Sequence, residues 1–224
     1  MKHYDSHKEI HTSKADYLAK KVVVATGFYD TPRLLKVPGE NLPKVKHYYD
    51  DAHPYIGQKV LIIGGANSGC DVALETWQKG AEVTMAIRKP ELYDRVKYWI
   101  LPNIQNRIKE GSIKAYFNTI VKEIKEDSVI LENADNGIFE IENDYVLAMT
   151  GYKPDYDLLE RLGIPISDDE DRVPLYDEET LESPIGGVYF AGVLNAGMMT
   201  SKLFIENTRH HGEVVVRGLE SKLR

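Results

Sequence analysis

The most informative segment of this chain for its fold is Lys59-Val-Leu-Ile-Ile-Gly-Gly-Ala-Asn-Ser-Gly-Cys-Asp-Val-Ala-Leu-Glu75. Its apolar run from Val60 to Ile63 predicts a buried parallel strand, the glycines from Gly64 to Gly69 predict a tight turn, and a helix is expected from Asn67 onward. This order of elements suits a dinucleotide pyrophosphate. Glycines let the backbone approach the phosphates, and the N–H groups at a helix start face the negative charge.

The match of this turn to G-x-G-x-x-G is imperfect. Gly64 and Gly69 hold the first and third positions, whereas Ala66 stands in the middle one. The candidate nucleotide-binding residues of the turn are Gly64, Gly65, Ala66, Asn67, Ser68 and Gly69. Asn67 and Ser68 are also residue types that cap a helix without any ligand. The two roles are compatible, because the cap position is also the phosphate position.

Composition narrows the class of protein. The chain has 224 residues, 42% of them hydrophobic and 28% charged, which is typical of a globular protein with a real core. A formal net charge of -7 argues against nucleic acid or an anionic membrane as the main partner. A single cysteine excludes an internal disulfide framework and fits a reducing compartment, so the expected location is cytoplasmic.

Charge indicates which nucleotide the turn binds. The run from Glu82 to Ile87 predicts a second strand, which completes a βαβ unit. An NAD site usually carries an acid at the end of this strand for the ribose 2′-OH. Here Arg88 and Lys89 follow instead, and two cations would attract a 2′-phosphate, so NADP(H) is the expected cofactor. The alternative is that both are solvated surface charges.

Two segments of the chain repeat each other. Val23-Val-Ala-Thr-Gly-Phe28 matches Leu147-Ala-Met-Thr-Gly-Tyr152, and each predicts a strand that ends in Thr-Gly. The second copy closes a unit that begins at the Gly64 turn, whereas the first copy has no glycine turn before it. We therefore expect two dinucleotide-binding units, the first of them lacking its front part.

The remaining patterns outline the other elements. We expect a hairpin before Ala19, connecting structure from Pro38 to Gly57 with a domain boundary near Asp51, and a helix from Trp99 to Lys109 that Pro102 breaks. Strands are expected around Asn118, with a hairpin at Asp135-Asn136-Gly137. The segment from Pro184 to Gly192 predicts a strand, and Thr200 or Ser201 would cap a terminal helix.

Other candidate residues favour structural roles. Cys70 lies in the first helical turn, where the dipole could lower its pKa, but packing of helix against sheet is the simpler interpretation. His210 and His211 lack metal-ligand spacing and are expected at the surface, and no metal site is predicted. The acids from 168 to 171 indicate a solvated turn. Three aromatic residues could line a nicotinamide pocket, although core packing is expected for them: Trp99, Tyr152 and Tyr156.

Taken together, these segments resemble the flavoproteins with two dinucleotide-binding domains of the thioredoxin reductase type, and among them the YpdA-type bacillithiol disulfide reductases. The resemblance runs over essentially the whole chain. Its most specific segments are Ala52-His-Pro-Tyr55, Ile62-Ile-Gly-Gly-Ala-Asn-Ser68, Trp99-Ile-Leu-Pro-Asn103, Gly151-Tyr-Lys-Pro-Asp-Tyr156 and Phe204-Ile-Glu-Asn207.

The resemblance implies an α/β, Rossmann-like flavoprotein fold with a three-layer sandwich and an incomplete first, FAD-binding domain. Residues 1–51 and 152–224 would form this partial FAD domain, and residues 52–151 an inserted NADPH domain. The two Thr-Gly ends and the terminal strand end give further candidate cofactor-binding residues: Thr26, Gly27, Thr150, Gly151, Gly192 and Val193. The resemblance also implies hydride transfer from NADPH to FAD and reduction of a small disulfide such as bacillithiol disulfide.

The chain departs from this family pattern in three ways. It has no Cys-x-x-Cys, which disfavours thioredoxin reductase proper. The family's FAD pyrophosphate motif and its proposed cysteine belong to the expected missing front part, so no catalytic residue is predicted. Val193 follows Ala191-Gly192 where thioredoxin reductases have an acid. A non-catalytic NADPH-binding fragment and a flavin monooxygenase-like protein are the alternatives, and homo-oligomerisation is left open.

Overall fold

The structure is a computed structural model, and it describes residues 1–4, 6–200 and 202–223. The strands of these residues are, in chain order, β1 (Lys2–His3), β2 (Lys8–His11), β3 (Asp16–Ala19), β4 (Val22–Val24), β5 (Val45–Lys46), β6 (Lys59–Ile63), β7 (Glu82–Ala86), β8 (Lys114–Tyr116), β9 (Thr119–Ile124), β10 (Ser128–Asn133), β11 (Gly137–Glu142), β12 (Tyr145–Ala148) and β13 (Val188–Phe190). The helices are α1 (Asn67–Gln78), α2 (Leu101–Lys109), α3 (Tyr156–Arg161), α4 (Ile205–Thr208) and α5 (His211–Leu223).

The chain forms two compact units. The central unit is Arg33–Gly151, and the terminal unit combines Met1–Pro32 with Tyr152–Arg224. The central unit is built on a parallel sheet with the strand order β5-β12-β6-β7-β8. A second, antiparallel sheet of this unit has the order β11-β10-β9.

The central unit has three layers because its parallel strands are apolar on both faces. In β6, Val60 and Ile62 pack against the side that carries α1 and α2, where Cys70 and Ile104 are buried. Leu61 and Ile63 alternate to the opposite face and pack against the antiparallel sheet. This α/β three-layer arrangement confirms the fold class expected from the sequence, and it explains why β6 reads as an uninterrupted apolar run.

The turns of the antiparallel sheet lie at the residues predicted from the sequence. Asn118 adopts a left-handed conformation (φ 51) between β8 and β9, and Gly137 (φ 76) ends the β10–β11 hairpin turn. The Asn133 side-chain carbonyl accepts hydrogen bonds from the N–H groups of Asp135 and Asn136, which fixes that turn.

The change from one unit to the other lies earlier than the sequence indicated. A boundary was expected near Asp51, yet residues 33–51 belong to the central unit. Within this segment β5 pairs in parallel with β12, and Leu35, Val37 and Leu42 pack on the core beneath the antiparallel sheet. The prolines and the Gly39 turn made the segment look like a connection, because a two-residue strand gives almost no periodic signal.

The terminal unit contains two small sheets. Strands β1, β2 and β3 form an antiparallel sheet, which confirms the hairpin expected before Ala19. Strands β4 and β13 pair in parallel, and no further strand joins them in the described residues. Val24, Val188 and Phe190 are buried in the core of this unit, whereas Val23 on β4 is 45% exposed.

Two helix predictions were wrong in detail. Pro102 does not break α2, because it lies in the first turn, where its missing N–H is not needed. The helix expected from Thr200 or Ser201 begins later, as α4 after Phe204 and then α5 at His211. Ser201 itself lies outside the described residues. Among those residues, no helix combines the length and the apolar composition that a membrane crossing requires.

Substitution of Gly69 by alanine should destabilise the central unit. An added Cβ at Gly69 would overlap the carbonyl oxygen of Gly64, and neither atom belongs to a flexible side chain. We expect Gly69→Ala to lower the free energy of unfolding by about 1–3 kcal/mol. Urea unfolding followed by tryptophan fluorescence measures this change, since Trp77 and Trp99 both lie in the central unit.

Gly212→Ala is the matched control. Gly212 lies in α5, where an added Cβ meets nothing within 4 Å, so alanine should stabilise that helix by about 0.5–1 kcal/mol. Equal effects of the two substitutions would show that the close approach at Gly69 does not constrain the fold.

Candidate functional site

The glycine turn after β6 is fixed by three close approaches. Gly64 has φ +127, and a Cβ there would lie 2.5 Å from the carbonyl oxygen of Met149. A Cβ at Gly65 would lie 2.9 Å from the side chain of Ile87, and one at Gly69 would meet the Gly64 carbonyl. The turn is therefore packed between the ends of β12 and β7, and α1 starts directly against the end of β6.

The N-terminus of α1 has no side-chain cap. Ala66 is the N-cap residue, in an extended conformation, and no side chain bonds to the first turn from this position. The capping alternative for Asn67 is wrong, because its side chain accepts a hydrogen bond from Lys97 N–H at 2.9 Å and lies 3.4 Å from the Arg95 carbonyl. The N–H groups of the first helical turn have no acceptor within the helix, so they are able to donate hydrogen bonds to an anion.

The segment after β7 is held next to this turn. Tyr93 N–H donates to the Gly65 carbonyl at 2.8 Å, and the Asn67 contacts hold the segment further along. Residues 88–97 include four cations and two acids. The cations are exposed and form no ion pair among the residues that the structure describes: Arg88, Lys89, Arg95 and Lys97. The last two join the candidate site, and the sequence alone did not single them out because their proximity to the turn depends on the side chain of Asn67.

The aromatic residues near this segment divide between surface and core. Trp99 is 61% exposed, with Lys97 Nζ 5.5 Å from its ring centroid, so the core role expected for Trp99 is wrong. Tyr156 is buried and donates its hydroxyl to the Arg172 carbonyl, which confirms a core role. Tyr152 is half-buried and stacks obliquely on Tyr29.

The second Thr-Gly end lies at the same sheet edge as the glycine turn. Strand β12 runs parallel to β6, so Thr150 and Gly151 follow at the carboxyl edge beside Gly64. The Thr150 hydroxyl donates to the Arg33 carbonyl at 2.6 Å, and Gly151 has φ 85. Dinucleotides bind outside this edge in open α/β sheets, at the point where the strand order changes direction.

The first Thr-Gly end has the same geometry in the terminal unit. Gly27 (φ 70) and Gly192 (φ 81) follow the parallel strands β4 and β13. A Cβ at Gly27 would lie 3.7 Å from the Val193 side chain, so the two candidate turns are neighbours. The structure thus brings together the predicted residues of each unit.

A buried amide beside these turns is incompletely hydrogen-bonded. The turn from Gly192 to Ala196 is a short 3-10 helix, and Asn195 in this turn is 3% exposed. Among the described residues, neither its Oδ1 nor its Nδ2 makes a hydrogen bond of ordinary geometry, and the Tyr176 hydroxyl is the polar group that interacts with its side chain. Burial of an amide with so few partners is costly. The side chain therefore has capacity left for a polar group with both donors and acceptors. No local pattern in the sequence points to this residue.

Cys70 is not a reactive thiol. Its side chain is fully buried, and burial raises its pKa to about 12, with a smaller contribution from Asp71. The lowered pKa considered from the helix dipole is therefore wrong, and the packing interpretation is supported.

The two histidines and the acidic segment differ in whether the structure places them as expected. His211 is 7% exposed, so its expected surface position is wrong, whereas His210 is exposed. Asp169 holds a surface turn by accepting from Ser167 and from the Asp171 and Arg172 N–H groups, as expected for the acidic segment. In the described part of the chain, no group of three or more His, Cys, Asp or Glu residues could hold a metal ion.

The glycine turn, the uncapped helix start and the two Thr-Gly ends define a Rossmann-like dinucleotide-binding protein with two units. The chain belongs to the pyridine nucleotide-disulphide oxidoreductase family, whose sequence profile matches residues 1–192. Membership implies a flavin and a pyridine nucleotide as the cofactors of the family.

Comparison with known proteins confirms the narrower resemblance. The bacilliredoxin reductase Bdr of Bacillus subtilis (strain 168) is 43% identical over 203 residues, which cover 91% of this chain. Structures of bacillithiol disulfide reductase Bdr (YpdA) give a TM-score of 0.90 at 41% identity for Bacillus cereus and 0.95 at 40% identity for Staphylococcus aureus. They cover 93% and 99% of this chain.

The chain is shorter than these relatives. It spans 62% of the Bacillus subtilis protein, 64% of the Bacillus cereus chain and 69% of the Staphylococcus aureus chain.

The Cys70 thiol should resist labelling while the protein is folded. With its pKa raised to about 12 and its side chain buried, it carries almost no thiolate at neutral pH. We expect no reaction with an aromatic disulfide reagent in buffer and one thiol per chain after addition of guanidinium. Rapid stoichiometric labelling of the folded chain would contradict the structural role of Cys70.

Proposed function

We propose that this chain provides the NADPH-binding unit, and part of the flavin-binding unit, of a flavoprotein oxidoreductase that reduces a small disulfide. The observation that carries this proposal is the Gly64 turn at the uncapped start of α1, next to the exposed Arg88 and Lys89. The likeness to proteins named bacillithiol disulfide reductase supports bacillithiol disulfide as the substrate.

In this proposal the central unit binds NADPH by backbone and charge. The turn from Gly64 to Gly69 approaches the pyrophosphate, and the N–H groups of the first turn of α1 donate to it. Arg88 and Lys89 stand at the end of β7, where the adenosine ribose lies in this fold, and they neutralise the 2′-phosphate. Asn67 contributes indirectly, because it fixes the segment that brings Arg95 and Lys97 close to the turn.

The terminal unit contributes its turns to the flavin. The backbone at Gly27 and Gly192 leaves room beside β4 and β13, and the buried Asn195 amide offers an NH2 group that donates and a carbonyl oxygen that accepts. The flavin supplies the passage of two electrons from the nicotinamide hydride to the disulfide. The chain's own residues bind and orient the cofactors, and neither Cys70 nor any other described residue is assigned as a nucleophile.

Substitution of Arg88 should test the choice of nucleotide. We expect Arg88→Ala to weaken NADPH binding by about 10- to 100-fold, since a charge-assisted hydrogen bond to the 2′-phosphate is lost, and to leave NADH binding unchanged. Calorimetric titration with each nucleotide measures both affinities.

Lys79→Ala is the control for this test. Lys79 is an exposed cation at the C-cap of α1, at the end of the helix away from the turn, so its loss should affect neither affinity. Equal binding of NADH and NADPH by the unchanged chain would refute the role given to Arg88.

A visible spectrum distinguishes a reductase from a fragment that binds NADPH alone. A chain that acts as the reductase by itself takes up FAD stoichiometrically, and anaerobic NADPH then bleaches the flavin absorbance. If NADPH binds and FAD does not, the non-catalytic alternative is correct for this chain.

A further inference from the structure

The side chain of His211 holds the turn that follows β13. His211 begins α5 and is 7% exposed, and its Nδ1 accepts a hydrogen bond from the backbone N–H of Gly192 at 3.1 Å. A ring nitrogen that accepts carries no proton, so this bond requires the neutral imidazole with its proton on Nε2. The contact joins positions 19 residues apart in the sequence, and only the tertiary structure shows it.

The surroundings of His211 favour the neutral ring. Burial lowers its pKa from 6.5, and the neighbouring His210 ring, whose centroid is 4.6 Å away, lowers it further. The start of α5 adds the positive end of a helix dipole. No carboxylate forms an ion pair with His211 among the described residues. The other titratable or charged groups of the adjoining elements are Arg209 and Glu206 on the α4 side, Glu213 and Arg217, which pair with each other, and Tyr189 on β13.

We propose that neutral His211 is a positioning residue for the turn from Gly192 to Ala196, and that protonation of His211 releases this turn. A protonated Nδ1 would face the Gly192 N–H with a second donor, so the hydrogen bond would be replaced by a repulsive contact. Gly192 has φ +81, and the same turn carries Val193, which lies next to Gly27, and the buried Asn195 amide. Release would therefore move every candidate ligand-binding group of the turn.

The direction of the pH effect follows from the lowered pKa. The unfolded chain binds a proton at this histidine near pH 6.5, and the folded chain binds it only at lower pH. The stabilisation by neutral His211 is therefore complete above pH 6.5 and is lost as the pH falls towards the folded-state pKa. Protonation of His211 acts on the turn itself, whatever ligand the turn binds.

NMR of the isotopically labelled full chain tests the proposal without any variant. At about pH 7.5 we expect the Nε2–H tautomer of His211, and the Gly192 amide signal should shift with the same midpoint at which His211 titrates. A Gly192 amide that stays unchanged while His211 becomes protonated would overturn the proposal.

Three variants test whether His211 acts through its hydrogen bond to Gly192 or only through its packing. His211→Asn keeps an acceptor near the position of Nδ1 and cannot titrate, so it should preserve the Gly192 amide protection and remove its pH dependence. His211→Leu removes the acceptor, so above the His211 midpoint the protection of the Gly192 amide against exchange should fall about five- to tenfold, whereas below the midpoint the variant and the wild-type chain should be alike. His210→Asn is the matched control: the Gly192 amide should still titrate together with His211, with the midpoint shifted upward because the neighbouring ring no longer lowers the pKa of His211. Equal pH dependence in the His211→Asn variant and the wild-type chain would also overturn the proposal.

Addition of FAD distinguishes failure of this proposal from failure of the proposed function. FAD affinity that falls with His211 protonation in the wild-type chain, and not in His211→Asn, supports both. FAD affinity that is equal above and below the His211 midpoint contradicts the proposal alone. Absence of FAD binding at either pH counts against the flavin role, and the Gly192 amide titration then decides the proposal by itself.

Discussion

The close approach of Gly69 to the carbonyl of Gly64 is the constraint on which the central unit depends. It allows α1 to begin directly at the end of β6, so that the helix lies against the sheet and its N-terminus opens at the carboxyl edge. Gly64 in turn approaches the Met149 carbonyl at the end of β12. Because Gly64 and Gly69 have no side chains, β6, α1 and β12 meet closely at this turn. The backbone N–H groups at the start of α1 then face outward, where an anion can reach them.

In the terminal unit, too, a glycine at positive φ follows the end of a parallel strand. Both copies of the Thr-Gly repeat end a parallel strand with a glycine at positive φ, Gly27 at 70° and Gly151 at 85°. The repeat is therefore a repeat of backbone geometry as well as of sequence. In the terminal unit the neighbouring turn at Gly192 is supported by a side chain, His211, whereas at Gly64 the support comes from strand backbone. This difference makes the Gly192 turn sensitive to protonation.

The side chains around the Gly64 turn differ in charge and in burial, and therefore in the chemistry that they can perform. Arg88, Lys89, Arg95 and Lys97 are exposed although the whole chain carries a net charge of -7, so the turn has a locally cationic border on an acidic protein. Cys70 lies in the same helix, but it is buried and its pKa is raised to about 12. The first turn of α1 is therefore suited to anion binding and unsuited to thiol chemistry.

Elements with a local signal could be predicted from the amino-acid sequence. The apolar run of β6, the glycines of its turn, the Asp135-Asn136-Gly137 hairpin and the Thr-Gly repeat were all predicted, because periodicity and left-handed turn residues are properties of neighbouring positions. The family resemblance also followed from such segments. Contacts between distant positions became visible only in the folded chain. Residues 33–51 belong to the central unit, where β5 pairs with β12. The Asn67 side chain does not cap α1 and instead accepts a hydrogen bond from the Lys97 N–H. His211 is buried and accepts a hydrogen bond from the Gly192 N–H. Each of these depends on a hydrogen bond to backbone far away in the chain, which no local pattern records.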